Sequence, residues 1–438
     1  MERAAYQNLL KWKNNPHRKP LLIKGARQVG KTWLMKAFGS NEYESVAYIN
    51  FEKVTQLADL FETDFDIHRI LRFVQLATGI IPREGKTLII FDEIQSVKRG
   101  LLALKYFYED APQYHVMAAG SLLGLSIHTN ESFPVGKVDF LHLHPLSYQE
   151  FMLAMGKRAL LETLQSQDWK LINTFKGQYI DLLKQYYYVG GMPEVVDAYI
   201  RNNDYQEVRT IQHTILESFD NDFSKHPPLD LVPRLKMVWN AIPSQLAKEN
   251  RKFIYGAVKR GGRAKEFELA IEWLQDAGLL YKVNRVSNAT IPLGGFEDIS
   301  AFKLFVVDVG LLGTMSGLDA KTLIDGHALF GQYKGALTEQ YVLQQIKTID
   351  NAAIYYWTPQ AGIAEIDFLL QLSQNVIPVE VKASENLKAK SLRSFRDKYH
   401  PSILVRTSMS DYRVDEALMN IPLYAIGLLR ELIERKNS

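Results

Sequence analysis

Apolar residues in the first 120 positions fall in short unbroken runs that predict buried strands. The runs lie in "PLLIK" (20–24), "KTLIIFDEIQ" (86–95) and "YHVMAAGS" (114–121). Such a run is typical of a parallel strand covered on both faces, and ligands bind at the carboxyl ends of these strands. "WLMKAFG" (33–39) has helical character up to a glycine stop. About thirty residues separate the second and third runs, enough for a crossover helix. The pattern predicts an α/β domain.

The middle of the chain changes to helical periodicity. Residues 151 to 230 are helix-like and aromatic, with a break at "GGMP". "RLKMVWNAIPSQL" (234–246) predicts an amphipathic helix, and "AKEFELAIEWLQDAGLLYKVNRV" (264–286) predicts a second helix that ends at Gly278 and runs into a strand. This order favours a winged helix. Apolar residues of the second helix recur at i, i+3, i+4 and i+7, giving one buried face: Phe267, Ala270, Ile271 and Leu274.

Two features of the middle segment bear on nucleic-acid contact. "KENRKFIYGAVKRGGRAKE" (248–266) carries seven Lys or Arg against two Glu. Helix-turn-helix proteins place such residues against phosphates, but a charge run is usually a solvated face, and winged helices also contact proteins. The adjacent tyrosines Tyr186 to Tyr188 would form a base-stacking platform if they shared a face. Neighbours on one helix point in different directions, which favours core or interface packing.

Near the C-terminus, two strand-like runs carry charged residues. In "EIDFLLQLSQNVIPVEVKAS" (365–384), strand alternation places Glu380 and Lys382 on one face, and Asp367 lies on the preceding run. A two-residue or a four-residue connection sets Asp367 opposite Glu380, about 5 Å apart at Cβ. A three-residue connection sends the two carboxylates to opposite faces. The sequence permits both registers.

Composition narrows the class of protein. The chain has 438 residues, a net charge of +3 and no cysteine. The mild charge requires any nucleic-acid surface to be local, and the lack of cysteine excludes disulfides, cysteine-ligated zinc and thiol catalysis. No apolar run reaches the roughly 18 residues of a membrane span; the stretch 301–318 is broken by Lys303 and Asp308. We expect a soluble cytoplasmic protein with no membrane partner.

A glycine-rich segment between the first strand and its helix predicts a phosphate-binding loop. "GARQVGKT" (25–32) matches GxxxxGK[ST]. Glycines let the backbone N–H groups point at phosphate oxygens, Lys31 can reach the β and γ phosphates, and Thr32 can ligate magnesium. The alternative is a chance glycine-rich turn, which the strand and helix on either side argue against. The predicted ATP-binding residues are Gly25, Ala26, Arg27, Gln28, Val29, Gly30, Lys31, Thr32 and Trp33.

Polar residues at the ends of the next two strands complete the predicted site. Asp92 would hold magnesium directly or through water, and Glu93 would polarise the attacking water. A solvated acidic strand end is the alternative. Ser121 ends the third run, where a polar residue can contact the γ-phosphate or the water, or equally cap a helix. The predicted catalytic residues here are Lys31, Glu93 and Ser121.

These motifs carry a family resemblance. "LIKGARQVGKT", "LIIFDEIQ", "AAGSLLG" and "LHLHPLSYQEF", in this order, resemble the AAA-type ATPase domain found in front of the bacterial and archaeal module called DUF4143. "YYYVGGMPEVVDAYI" (186–200) is similar to the opening of that module, so the resemblance spans nearly the whole chain. Relatives commonly have Gly-Arg before the "PLS" strand, where this chain has Gly136-Lys137. If that arginine clamps charge, lysine supplies a point charge without the planar fork.

The C-terminal charged residues contain the parts needed for phosphodiester hydrolysis. Two converging carboxylates can hold magnesium, and a lysine can orient water or stabilise charge on phosphate. Glu339, on the predicted helix "GALTEQYVLQQI", would add a third carboxylate. The set Glu339, Asp367, Glu380-x-Lys382 resembles the PD-(D/E)xK nuclease superfamily, to which DUF4143 is related. The resemblance implies Mg²⁺, or Mn²⁺, on Glu339, Asp367 and Glu380, with Asp367, Glu380 and Lys382 catalytic.

Other interpretations of this cluster stay open. A Glu–Lys pair on an exposed strand can be merely structural, and a nuclease-like fold can bind without turnover. Glu365 faces the same side as Asp367 and is an alternative ligand. The basic segment "KASENLKAKSLRSFRDKYH" (382–400) would suit a phosphate backbone.

The expected fold is α/β, in four parts. These are a P-loop AAA-type ATPase domain (1–150), a helical lid or connector (151–230), a winged-helix-like segment (231–295) and a PD-(D/E)xK nuclease-like domain (296–438). The expected function is ATP binding, and ATP hydrolysis with Mg²⁺, that controls DNA engagement by the last domain. The alternative is a non-catalytic, nucleotide-dependent switch or scaffold that binds DNA or a protein partner. A homo-oligomer is left open.

Overall fold

The chain folds into two compact α/β units, which confirms the predicted fold class. A computed structural model describes residues 1–53, 61, 64–120, 134–248, 252–320, 331–350, 352–359, 364–372, 374–384 and 390–437. Unit 1 contains residues 1–144 and 272–279, and unit 2 contains residues 145–271 and 280–438. An eight-residue piece from the middle of the chain therefore belongs to the N-terminal unit.

Unit 1 is built on a five-stranded parallel sheet with the strand order β2-β3-β4-β1-β5. Its strands are β1 (Leu21–Lys24), β2 (Ser45–Asn50), β3 (Thr87–Asp92), β4 (His115–Ala119) and β5 (Asp139–His142). Its helices within the described ranges are α1 (Ala5–Asn14), α2 (Lys31–Glu42), α3 (Ile67–Thr78) and α4 (Gly100–Asp110).

The strand register of this sheet aligns the carboxyl ends of its strands. The apolar runs of β3 and β4 are buried along their whole length, as predicted. Asp92 pairs with Asn50 on one side and with Ala119 on the other, and Ala119 in turn pairs with Ile23. The loop that follows β1 and the carboxylate that ends β3 therefore lie at one edge of the sheet, separated by β4.

The first part of unit 2 is helical. The consecutive tyrosines Tyr186 to Tyr188 are all buried, which confirms core packing for them. Gly190 follows in the positive-φ region, and a Cβ there would lie 2.1 Å from Oδ1 of the buried Asp308. The "GGMP" break thus allows a close backbone approach to that carboxylate. The helices are α5 (Tyr148–Ala154), α6 (Arg158–Ser166), α7 (Trp169–Thr174), α8 (Lys176–Val189), α9 (Pro193–Asn202) and α10 (Tyr205–Lys225).

The segment predicted to be a winged helix (231–295) forms three helices and then one strand, and a second strand follows beyond residue 295. These elements are α11 (Val232–Leu246), α12 (Tyr255–Val258), α13 (Ala264–Asp276), β6 (Leu280–Val286) and β7 (Glu297–Val306). The predicted apolar face of α13 is buried, which confirms the periodicity. Helix α13 belongs to unit 2 up to Ile271 and to unit 1 from Glu272. It ends at Asp276. Gly278 follows in the left-handed region, and the Leu279 N–H donates to the Leu274 carbonyl, as is typical of a helix C-cap.

The remainder of unit 2 surrounds an eight-stranded mixed sheet with the order β12-β13-β11-β10-β9-β8-β6-β7. Strands β6 and β7 pair with each other across the predicted boundary at 295 and also belong to this sheet. The strands that follow are β8 (Ala353–Trp357), β9 (Ile366–Leu372), β10 (Asn375–Val381), β11 (Leu404–Ser408), β12 (Arg413–Asp415) and β13 (Leu418–Pro422). The helices are α14 (Val309–Met315), α15 (Gly331–Ile346), α16 (Lys390–Tyr399) and α17 (Leu429–Asn437).

Among the described residues, no helix combines the length and the apolar character needed to cross a bilayer.

Candidate nucleotide site and C-terminal carboxylate cluster

The loop after β1 is held in a tight curl by its surroundings. Gly25 has a φ of 148°, and a Cβ there would lie 2.2 Å from the Leu143 carbonyl oxygen, so only glycine fits. Gly30 has a φ of 93° and precedes the first residue of α2. Arg3 donates from Nη1 to the Val29 carbonyl (2.9 Å) and from Nη2 to the His144 carbonyl (2.5 Å). The sequence reasoning missed Arg3, because no residue pattern before the first strand marks it.

The side chain of Lys31 is buried within the curl. Only 7% of this residue is exposed, and its Nζ donates to the carbonyl oxygens of Gly25 (2.9 Å) and Ala26 (2.8 Å). Burial lowers the pKa of Lys31 to about 8, although the carboxylates of Glu93 and Asp92 raise it. A buried ammonium held by two carbonyl oxygens is well suited to an anionic partner.

Thr32 and Asp92 meet although sixty positions separate them. The Thr32 hydroxyl donates to Asp92 Oδ2 at 2.7 Å, and the Tyr48 hydroxyl donates to the same oxygen at 2.8 Å. Asp92 is 2% exposed. A hydroxyl and a buried carboxylate within hydrogen-bond distance of each other supply two oxygen ligands of the type that magnesium prefers. The predicted pair of ligands fits the ion.

The other predicted residues of this site are placed as follows. Glu93 follows β3 in the left-handed region (φ 51°), and its carboxylate accepts from Gln95 Nε2 at 2.6 Å. Trp33 is 51% exposed on the first turn of α2. Ser121 lies outside the described residues. Lys137 forms an ion pair with Glu109 at 2.9 Å.

In unit 2, the strand register brings two of the predicted carboxylates together. Strands β9 and β10 are antiparallel with Asn375 opposite Leu372 and Val379 opposite Phe368, so the next pair along is Glu380 with Asp367. This is the register of a two-residue connection. Asp367 Oδ2 also accepts from the Val381 N–H at 2.7 Å.

Glu380 lies in a row of charged and polar residues across the sheet. It pairs with Arg406 of β11, and its carboxylate accepts from Lys382 Nζ at 2.7 Å. Glu380 is 3% exposed, and burial raises its pKa, against the opposing effects of Lys382 and Arg406, while Asp367 raises the pKa further. The predicted set Asp367, Glu380 and Lys382 is thus brought together.

Glu339, the third predicted ligand, has a different neighbour. Lys303 of β7 is fully buried, with its Nζ 3.7 Å from Glu339 Oε2 and 2.5 Å from Glu365 Oε1. Sequence reasoning noted Lys303 only as an interruption of an apolar stretch, although a charge at an inward strand position is itself a signal. Within the part of the chain that the structure describes, no group of three or more His, Asp or Glu is placed to hold one metal ion. The three-carboxylate metal site stays a prediction.

Basic side chains are exposed at two places in unit 2. Helix α16 buries Leu392 and Phe395 and exposes its opposite face. The residues that line a shallow pocket on that face are Lys390, Arg393, Ser394, Asp397 and Lys398. The connection between α12 and α13 exposes Lys259, Arg260 and Arg263, and the first turn of α13 exposes Lys265.

Comparison with family models divides the chain into three parts. Residues 17–152 match the AAA domain family, residues 180–322 match a domain of unknown function (DUF8612), and residues 334–426 match a domain of unknown function (DUF4143). The segment 186–200, assigned above to the opening of the DUF4143 module, lies within the DUF8612 match. No curated protein matches the chain.

Solved structures with a similar chain path include the following three. The Orc1 protein of Aeropyrum pernix in complex with DNA is 11% identical, with a TM-score of 0.28 over 72% of this chain and 91% of that one. Cdc6p of Pyrobaculum aerophilum is 12% identical, with a TM-score of 0.26 over 74% and 96%. AMPPCP-bound DnaA of Aquifex aeolicus is 14% identical, with a TM-score of 0.25 over 62% and 87%. Because these TM-scores lie below 0.5, we draw no conclusion from them. The AAA-domain match and the DUF4143 match follow each other in the order predicted from the motifs, and they are consistent with an AAA-type ATPase domain joined to a DUF4143 module.

Proposed function

We propose that the protein binds ATP with Mg²⁺ at residues 25–33, hydrolyses it, and uses that cycle to control how the C-terminal domain engages DNA. The observation that carries the first part is the meeting of three groups at one edge of the sheet of unit 1. These are the buried ammonium of Lys31 and the hydrogen-bonded pair Thr32 and Asp92.

Each residue has a stated part in the proposed reaction. Lys31 exchanges its two carbonyl partners for phosphate oxygens, which are stronger, charged acceptors. Thr32 and Asp92 hold magnesium, which when bound neutralises charge on the phosphates. Glu93 orients and polarises the attacking water, and Gln95 positions the Glu93 carboxylate by its hydrogen bond.

Titration calorimetry with Mg²⁺ and ATP tests the binding step. Lys31→Ala should weaken binding by roughly 10- to 100-fold, since it removes charge-assisted hydrogen bonds. Lys11→Ala, a change of an exposed lysine on α1, is the matched control and should bind as wild type. Equal affinity for the Lys31→Ala and wild-type proteins would refute the site.

A second variant tests hydrolysis separately from binding. Glu93→Gln should retain ATP binding but lose about 100-fold or more in turnover, because a positioned base contributes about that much. Phosphate release and filter-bound nucleotide are the two readouts. Unchanged turnover would remove Glu93 from the mechanism and leave the binding site standing.

The proposed DNA contact is supported by the exposed cations of α16. Among the described residues that line the pocket on this helix, three are cations and Asp397 is the one acid. Replacing Lys390, Arg393 and Lys398 by alanine should weaken DNA binding. It should also reduce the slope of log affinity against log salt by about 0.9 for each phosphate that these cations neutralise. The same slope in wild type and variant would place any DNA contact elsewhere.

The non-catalytic switch is the second candidate, and a specific observation favours it. The protein's own lysines already neutralise the predicted nuclease carboxylates, Lys303 at Glu339 and Lys382 at Glu380. Cleavage assays with Mg²⁺ and with Mn²⁺ separate the candidates. Cleavage that is lost in Asp367→Ala and Lys382→Ala supports a nuclease, whereas binding without cleavage, unchanged in both variants, supports the switch.

A further inference from the structure

The turn that ends α13 packs directly on the nucleotide-binding loop. A Cβ added at Gly278 would lie 2.9 Å from the backbone nitrogen of Ala26 and 3.3 Å from the carbonyl carbon of Gly25. These two atoms belong to one peptide unit. Residues 272–279 belong to unit 1, although they lie more than a hundred residues beyond its other members.

The same peptide unit also forms a hydrogen bond with the buried ammonium of Lys31. The Gly25 carbonyl oxygen accepts a hydrogen bond from Lys31 Nζ. A single peptide plane therefore binds the phosphate-binding lysine through its oxygen, while Gly278 lies against its carbon and nitrogen. Any ligand that draws Lys31 away changes the partner of a backbone group on which the end of α13 rests.

Other contacts keep this turn in place. Trp273, Ala277 and Leu279 are all buried. Asp276 is close enough to Lys24, the residue before the loop, to raise its pKa, although burial lowers that pKa overall. The turn is thus anchored on both sides of Gly278 and cannot move independently of the loop at little cost.

We infer that the turn that ends α13, residues 276–278, is a positioning element of the nucleotide site, so that nucleotide occupancy and the placement of this turn are coupled. This inference rests on the proposed ATP binding. The coupling must be reciprocal. If ATP shifts the equilibrium between two positions of the turn by some factor, the ATP affinities of those two positions differ by the same factor.

A pair of glycine variants tests the coupling. Gly278 and Gly79 both end a helix in unit 1 with a φ of +73°, but a Cβ at Gly79 would have nothing within 4 Å. The two alanine substitutions therefore impose the same backbone strain and differ only in the contact with the loop. Gly278→Ala should weaken ATP binding by about tenfold, measured by calorimetry on the full chain, and Gly79→Ala should leave it unchanged.

Hydrogen exchange of the wild-type chain supplies a readout that needs no variant to fold. Saturating ATP with Mg²⁺ should change the exchange rate of the peptide covering 272–279, while the α3 end near Gly79 should not respond. Unchanged exchange at 272–279, or equal ATP affinity for both glycine variants, overturns the coupling. If the wild-type chain takes up no ATP at all, the proposed function fails with it; if ATP binds and the turn does not respond, only this inference fails.

Discussion

Lys303 should act as an internal counter-ion in the sheet of unit 2, and Lys303→Met tests this role. The substitution keeps an unbranched apolar side chain of similar reach and removes the ammonium. That ammonium is fully buried between Glu365 and Glu339, whose side chains are 21% and 3% exposed. Glu365 can regain water when the lysine is lost, whereas Glu339 cannot.

The expected cost follows from this difference in burial. Removing one partner from a buried ion pair costs about 3–5 kcal/mol, because the remaining charge is left in a poorly solvating environment. We therefore expect Lys303→Met to lower the free energy of unfolding of unit 2 by about that amount at pH 8. The double variant Lys303→Met/Glu339→Gln should recover much of the loss, since it removes the stranded charge. The deficit of the single variant should also shrink as the pH falls, because a stranded carboxylate takes up a proton more readily folded than unfolded.

Hydrogen exchange of β7 and β9 amides in a urea series is the suitable assay, because a chain of two units need not unfold in one step. Lys282→Met is the matched control: it lies on the paired strand β6, is partly exposed, and places its Nζ 4.6 Å from the centre of the Phe302 ring. It should cost less than about 1 kcal/mol. A loss that small for Lys303→Met, or no recovery in the double variant, would refute the counter-ion role.

Two further predictions concern pH. Burial lowers the pKa of Lys31 to about 8, and a phosphate partner favours the charged form. ATP affinity measured by calorimetry should therefore be level below pH 8 and fall up to about tenfold per pH unit above it, whereas Lys31→Arg should bind without that fall. Burial lowers the pKa of His115 to about 4, so the unfolded chain binds more protons between about pH 6.5 and 4, and stability is lost as the pH falls through that window. At pH 5 the loss of unfolding free energy in unit 1, measured by urea unfolding, should be about 2 kcal/mol. His115→Gln should lack this share of the pH dependence. The same pH profile in that variant and in wild type would contradict the role of His115.

The sequence is most informative where the residues that act together are also neighbours along the chain. Residues 25–32 are a continuous stretch of loop and the first residues of α2, so their pattern predicts both the curl and the place of Lys31. The face of α13 follows equally from local periodicity. The register of β9 and β10 depends on the length of the connection between them, and the sequence permits two registers. The structure has the register of a two-residue connection.

Long-range partners are where prediction from the sequence stops. Lys303 lies 36 positions before Glu339 and 62 before Glu365, and nothing local specifies which carboxylates meet a buried lysine. Arg3 reaches the Val29 carbonyl in the same way. For Gly278, the helix-ending role was predictable from residue type, but the contact with Ala26 depends on how distant segments pack.

The discontinuity of unit 1 has a consequence for how the protein is made. Residues 1–144 leave the ribosome well before residues 272–279, and at about 5–20 residues per second the nascent chain waits on the order of ten seconds for the piece that covers the Gly25–Ala26 peptide. Until then the loop is uncovered on that side. An N-terminal fragment cut near residue 150 stays in that immature state permanently, and adding the peptide 272–279 in trans is the direct way to complete it.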